Sequence, residues 1–353
     1  MMKAELDHRD VRKVQFTGRS TYVLSLPKRW IEEMHLKAGD RVTLIRELDN
    51  SLSILPIFNG AKESPNEATA LVSPNESGST LRRKVISMYL AGFNIIHLKL
   101  KSGRINPALR DAVRELVRHN LVGTEMIADG SDIITLQVLL SLPELSVNTA
   151  VRRMYLIASS MHKDAISALA ELNYELANEV IQSDDEVDRF SLYIFRNLVM
   201  ATQNGRVLRE MGLKNPSDCL SYRVAVKSIE RIADHAYNIA DIAIALKDNI
   251  PKDSFQKIEK MSQLALTVLG NSVEALLRRD YHLADKTVDD AKNIRMIEDD
   301  VLKAIEKDKI RDPANIKLAL EDIRRTAEYA SDIAEAAMNQ TIDEVIEKHN
   351  SSQ

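Results

Sequence analysis

The chain has one cysteine, Cys219, in 353 residues. That excludes an intramolecular disulfide and a cysteine-built zinc site, and Cys219 reads as a small, nearly buried helix residue. No apolar run approaches the ~18–20 residues of a membrane span. The first residues are charged at once, so no signal peptide is predicted and a cytoplasmic protein is expected. Residues 61–145 hold no glycine-rich phosphate loop, no clustered histidines and no nucleophile–base pairing. The helical half holds no Glu-x-x-His, which a di-iron oxidase bundle needs twice; three residues after Glu230 stands Ala233. With no catalytic constellation visible, a non-enzyme is expected. The formal charge of −4 argues against a uniformly basic nucleic-acid coat but leaves room for a local basic patch. The length suggests two or three domains.

What is present centres on residues 228–241. They lie in a run, 217–247, free of proline and glycine, which reads as helix. Ile229, Ile232, Ala236, Ile239, Ala240 and Ala243 recur at threes and fours as one apolar stripe. Glu230 and Asp234 fall one turn apart on the same face, and Asp241 extends that line. Like charges at this spacing cost an isolated helix roughly 0.2–0.5 kcal/mol, so a cation or the neighbouring Arg231 should offset them. Residues 322–335 are a second copy. Ile323, Arg325, Glu328, Asp332 and Glu335 align with Ile229, Arg231, Asp234, Asn238 and Asp241, while Arg324 stands where Glu230 does. The chain therefore carries an internal repeat with one site altered.

Residues 11–30 contain Arg12, Lys13, Arg19, Lys28 and Arg29 and no acidic residue. Around them the pattern predicts strand, strand, a short helix opened by Pro27 over 28–36, a strand over 41–46 and a strand over 51–58. Some fifty residues in that order bury too little core to stand alone, and a homodimer would supply the missing surface. Val11-Arg-Lys-Val14, Gly18-Arg19, Leu26-Pro-Lys-Arg29 and Leu36-Lys-Ala-Gly-Asp40 resemble the AbrB/SpoVT family of swapped-hairpin DNA-binding domains. Ser20-Thr-Tyr-Val23 is similar to the branch that includes some antitoxins. The resemblance implies interleaved hairpins and a basic face on DNA, with Arg12, Arg19 and Arg29 at the family's basic positions and Lys13 and Lys28 beside them. A solvated basic face is the plainer reading of the same cations, and Trp30 reads as a core plug.

Residues 60–80 read as a linker with a strand near 68–73. A helix over 80–90, a strand over 94–100, a helix from Asn106-Pro107 to about 120 and a hairpin at Gly130-Ser131 follow. This alternation predicts a small α/β sandwich, either a spacer or dimerisation element or a small-molecule sensor.

From residue 146 on the chain reads as helix, with breaks near 172–173, 204–216, 249–251, 279–280 and 312–313. Ser217 and Ser254 suit N-caps and Pro313 a first helical position. Ala168-Leu169 and Asn173-Tyr-Glu-Leu-Ala177 pair with Ala275-Leu276 and Asp280-Tyr-His-Leu-Ala284, giving two three-helix units whose apolar stripes pack together. Leu176-Ala177, Asp184-Asp-Glu-Val-Asp188 and Glu230-Arg-Ile-Ala-Asp-His235 resemble the PhoU family of phosphate-uptake regulators over residues 146–348. That resemblance implies carboxylate pairs holding metal on facing helices: Asp184 with Asp188, and Glu230 with Asp234. An all-oxygen site of this kind suits Mg²⁺, Mn²⁺ or Fe better than Zn²⁺. Ala291, Arg295 and Arg324 replace Asp184, Asp188 and Glu230 in the second repeat, where Arg324 and Arg295 can neutralise Glu328 instead. A solvated face balanced by Arg231 and Arg189 is the plainer reading of the pairs, and His235 reads as a satisfied helix histidine.

The expected organisation is multidomain. It comprises an all-β swapped-hairpin domain (1–60), a linker with a small α/β domain (61–145) and an all-α six-helix bundle (146–348; repeats about 146–248 and 252–348). The two resemblances imply a homodimeric, DNA-binding transcriptional regulator of phosphate uptake, a fusion similar to archaeal ones. The alternative is an adaptor for a phosphate transporter ATPase or a signalling kinase, with the N-terminal module only dimerising. An antitoxin reading leaves the bundle without a role.

Overall fold

A computed structural model describes residues 10–18, 20–46, 51–56, 66–139 and 145–346. The chain divides into two compact units, 1–64 and 65–353.

In the first unit β1 (Gln15–Thr17) and β2 (Thr21–Val23) pair antiparallel, with Phe16 opposite Tyr22 and their rings 5.1 Å apart. Gly18 makes the turn at φ +67°, where a side chain is disfavoured. Helix α1 (Lys28–Glu33) follows, shorter than its pattern predicts. His35 turns left-handed at φ 54°, its N–H donates to Glu32 and the N–H of Leu36 donates back to Ile31. That pair of bonds is a Schellman closure, and it stops the helix before Leu36. β3 (Val42–Arg46) and β4 (Leu52–Pro56) form a second antiparallel pair; the end of the predicted last strand, 57–58, lies outside the described residues. None of residues 10–18, 20–46 and 51–54 is buried, and Phe16, Tyr22, Leu44 and Leu52 are each more than half exposed. Trp30 is half-buried.

The second unit opens with β5 (Glu67–Val72), α2 (Gly78–Leu90), β6 (Ile95–Leu100), α3 (Pro107–His119), β7 (Thr124–Asp129) and β8 (Ile133–Val138). The strand expected near 68–73 is the edge strand β5, and α2 begins at Gly78, inside the stretch read as linker. The sheet order is β5-β6-β8-β7: β5 runs parallel to β6, and β8 pairs antiparallel with both β6 and β7. Ile96, Leu98 and Leu100 alternate onto the face covered by α2 and α3, where they meet Val85, Tyr89, Val113 and Leu116. Ser77 and Asn106 cap the two helices on Thr80 N–H and Leu109 N–H.

The bundle follows as α4 (Val147–Glu171), α5 (Tyr174–Gln203), α6 (Gly205–Glu210), α7 (Asp218–Ala245), α8 (Lys252–Arg278), α9 (Tyr281–Ala291), α10 (Ile294–Asp308) and α11 (Pro313–Thr341). Its repeat is visible at matched joints. Leu172 and Arg279 both end their helices left-handed, at φ 52° and 59°. The next residues, Asn173 and Asp280, both cap the following helix, on Leu176 N–H at 3.1 Å and Leu283 N–H at 2.9 Å. α7 and α11 pack on each other at the centre through Ile229, Ile232, Ala236 and Ile239 and through Ile323, Ala327, Ala330 and Ile333, all fully buried. Alanines at these crossings let the two helices come close.

Three local expectations are corrected. Ser217 makes no side-chain cap; the buried Asp218 carboxylate accepts from Lys214 and Asn215 N–H instead. Ser254 lies inside α8 and donates to Asp308 at 2.7 Å. The second repeat's middle helix is two helices, because Lys292 and Asn293 N–H bond three residues back to Asp289 and Asp290 and tighten the turn between α9 and α10.

Arg196 of α5 fastens the bundle to the α/β segment. Its buried guanidinium donates to the carbonyls of Tyr89, Phe93 (2.9 Å) and Gly92 (3.2 Å) and to Asn94 Oδ1 (2.7 Å), beyond the end of α2. Those carbonyls carry the negative end of the helix dipole, which suits a cation there. Burial lowers the Arg196 pKa.

Candidate functional site

α5 carries Asp184 and Asp188 one turn apart; α7, packed against it, carries Glu230 and Asp234. Burial pushes the Asp184 carboxyl up to about 7, helped by Asp188, Asp234, Asp185 and Glu230. Asp188 is pushed up to about 6 by burial, Glu230 and Asp234, against the pull of Lys227. Burial and then Glu230 raise Asp234 as well. Asp184 and Asp188 of α5 are both raised by Glu230 and Asp234 of α7, so the four share one side of the bundle. Lys227, not Arg231, is the cation in contact with Glu230; Arg231 lies over the Tyr329 ring at 5.2 Å. Asp241, which the spacing places on the same line, instead lines a cleft of about 300 Å³ between α7 and α11 with His235, Asn238 and Asp322.

The donor chemistry fits a hard divalent cation: all oxygen, mutually repelling and half-shielded from water. The arrangement is not a closed site. Among the described residues no three Asp, Glu, His or Cys side chains converge as metal ligands, and Lys227 holds one oxygen of Glu230.

Asp188 and Glu230 also line a cleft of about 310 Å³ whose far wall is α2 of the α/β segment. Arg82, Arg223 and Lys227 face it, and Arg223 stacks on Phe195 at 3.4 Å. Sequence spacing relates only residues on one helix, so these groups could not be found from it.

At the matching place in the second repeat Arg324 bridges Glu298 (3.1 Å) and Glu328 (2.7 Å). Arg325 and Arg295 reach Glu328 at 3.1 and 3.5 Å. Burial alone would raise Glu328, but Arg324 and Arg325 outweigh it and hold the carboxyl below its ordinary range. The neutralisation of Glu328 by Arg324 and Arg295, read from the alignment, is what the structure has.

His235 Nδ1 donates to Asp322 Oδ1 at 2.6 Å and stacks on Tyr329 with centroids 5.5 Å apart, so its partners are internal. His162 is fully buried between Ser262 Oγ (3.0 Å) and Thr326, and burial, with the charge of His235 second, pushes its imidazole down to about 4. Cys219 is buried, and burial pushes its thiol up to about 11, unsuited to a nucleophile.

In the first unit Arg12, Lys13, Lys28 and Arg29 are exposed; Arg19 lies outside the described residues. The counter-charges missing from residues 11–30 come from either side of that window: Arg12 pairs with Asp10 (2.8 Å), Lys28 with Glu32 (3.5 Å) and Arg29 with Glu33 (2.8 Å). Exposed pairs of this kind contribute about 0–1 kcal/mol, so a phosphate can displace the carboxylate.

Comparison with known proteins divides the chain in the same way. Residues 151–243 match the family described as PhoU domain. Residues 15–57 match antidote-toxin recognition MazE, bacterial antitoxin. A phosphate-specific transport system accessory protein PhoU homolog from Aquifex aeolicus is 29% identical over 161 residues, 44% of this chain and 69% of that protein. Homologs from Xylella fastidiosa and Thermotoga maritima are 24% and 25% identical; the match spans 39% of this chain and 56% of the first, 52% of this chain and 81% of the second. Solved structures of PhoU from Streptococcus pneumoniae and Pseudomonas aeruginosa are 18% and 22% identical, each with a TM-score of 0.47; they cover 57% and 56% of this chain and 96% of their own. Among the described residues no helix is long and apolar enough to cross a membrane.

Proposed function

From a chain that joins an antitoxin-type, MazE/AbrB-like module to a PhoU domain, we propose a DNA-binding regulator of phosphate uptake that acts as a homodimer. The observation that carries the reading is the first unit itself: two hairpins and one helix turn with no buried residue among those described. Isolated hairpins are marginal in water. A second copy laid on Phe16, Tyr22, Leu44 and Leu52 gives the module its core and sets two copies of Arg12, Lys13, Arg19, Lys28 and Arg29 on one face for the phosphate backbone. The relatives' role in phosphate-specific transport supports the signal.

Asp184, Asp188, Glu230 and Asp234 would hold a divalent ion, Mg²⁺, Mn²⁺ or Fe, once Glu230 leaves Lys227. The ion would supply the positive charge that four crowded carboxylates need. Two geometries of the dimer, biased by that state, would then differ in their grip on DNA.

The test is a fluorescence-anisotropy titration of duplex DNA from 50 to 300 mM salt. For the regulator, log Kobs falls with log salt at a slope set by several released counterions, about −0.9 for each phosphate neutralised. Arg12→Ala with Arg29→Ala lowers that slope by about 2 to 4 across the dimer. No binding at low salt overturns the DNA reading and leaves the adaptor for a transporter ATPase or kinase.

A further inference from the structure

A cleft of about 510 Å³ in the second unit has no part in the regulator described above. One wall is the C-terminal end of α3; the other is the facing side of α4 and α5. Arg118, Arg153 and Arg189 surround it, one from each of those helices. Their neighbours are paired: Arg114 holds Asp129 at 2.8 Å and Arg152 reaches Glu274 at 3.5 Å. Among the described residues Arg118, Arg153 and Arg189 make no ion pair with a carboxylate, although Asp185 and Glu186 line the same cleft. Arg118, in the last turn of α3, gains from the helix dipole.

Three guanidiniums facing one space are a site for an anion, and their planar forks suit phosphate oxygens. The cleft is roomier than inorganic phosphate alone would fill. Sites for small organic molecules run from about 300 to 1,000 Å³, and a lone phosphate would leave this one mostly empty. The remaining wall says what else the ligand carries. Phe190 and Tyr193 supply aromatic surface, with the Arg153 guanidinium 6.0 Å from the Phe190 ring centre. Aromatic surface of this kind stacks on a flat ring. Asp185 and Glu186 are acceptors, suited to hydroxyl or amino donors on the same molecule.

We propose that this cleft binds a nucleoside phosphate, with its phosphates on Arg118, Arg153 and Arg189, its base against Phe190 and its ribose or amino donors toward Asp185 and Glu186. The proposal depends on neither the DNA nor the metal reading. Its consequence for them is mechanical: the ligand would strap α3 to α4 and α5, and α5 also carries Asp184 and Asp188.

The experiment is calorimetric titration of the full-length protein, in chelator so that no divalent ion takes part. The probes are ATP, AMP, GTP, GMP, tripolyphosphate and inorganic phosphate. At least one nucleotide should saturate, with Kd of about 100 μM or tighter. Arg153→Ala with Arg189→Ala should weaken it by roughly tenfold or more. Both arginines are exposed, so the fold should be kept. Phe190→Leu should weaken the nucleotide and leave tripolyphosphate unchanged. Photo-crosslinking of an 8-azido nucleotide to the wild-type chain should label residues 182–193 or the end of α3. The proposal is overturned if no nucleotide saturates, if tripolyphosphate binds as well as the nucleotide, if the arginine variants bind unchanged, or if the label maps elsewhere.

Discussion

The two repeats of the bundle solve one electrostatic problem in opposite ways. Both set carboxylates on neighbouring helices that face each other. In the first repeat Glu230 and Asp234 raise both Asp184 and Asp188, with Lys227 the cation at Glu230. In the second, Ala291, Arg295 and Arg324 stand at three of those places, and Arg324 sits between Glu298 and Glu328. One repeat is left with unbalanced negative charge; the other balances itself within its own side chains. A scaffold can thus keep its helices and joints while a few residues decide whether a site waits for a cation or already contains one.

The sharpest way to break this comparison is metal stoichiometry. Glu230→Ala with Asp234→Ala should remove the bound divalent ion, measured by mass spectrometry of the metals on purified protein. Arg324→Ala with Glu328→Ala in the other repeat should leave it unchanged. Equal metal in all three proteins would sink the site.

The next effect concerns a histidine on one repeat only. His162 aligns with the buried Leu269, and its imidazole is pushed down to about 4. Its ordinary value is near 6.5, so between about 6.5 and 4 the unfolded chain binds the extra proton. Stability from this group is therefore full above pH 6.5 and falls as pH drops toward 4, by roughly 3 kcal/mol in all. His162→Leu, tested by urea unfolding at pH 7 and pH 4.5, should lose most of that pH dependence relative to wild type. The carboxylates titrating in the same range cancel in the difference.

A smaller contrast tests the balance itself. Arg324→Ala takes the cation from half-buried Glu298 while Arg325 and Arg295 stay on Glu328, and should cost about 1 kcal/mol, read from the urea midpoint at unchanged m. Asp184→Asn removes a repelling charge and should stabilise the metal-free protein by up to about 1 kcal/mol. If both variants destabilise alike, the first repeat is not strained by its charges.

Much of this was legible in the chain. The proline-free apolar stripes set the long helices because burial of one face follows from spacing alone. Asn173 and Asp280 marked matched helix starts, and the change from Glu230 to Arg324 forecast the internal ion pairs. Other features had no sequence signal. Neither proline nor glycine marks the turn at Lys292 and Asn293. Ser254 looked like a cap and proved an interior residue bonded to Asp308. Arg196, alone in the apolar run from Tyr193 to Leu198, was the one missed anchor that periodicity could have flagged.

By itself the sequence determined which helices form, where they repeat, and which carboxylates share a helix face, since those follow from contacts three or four residues apart. Only the tertiary structure decided which faces meet. It brought α2 and α3 against α5, matched Arg196 to three carbonyls over 90 residues away, and opened the clefts where Arg82 faces Glu230 and Arg118 faces Arg189. Those groups come from separate elements, and packing of whole helices, not local spacing, sets the distance between them.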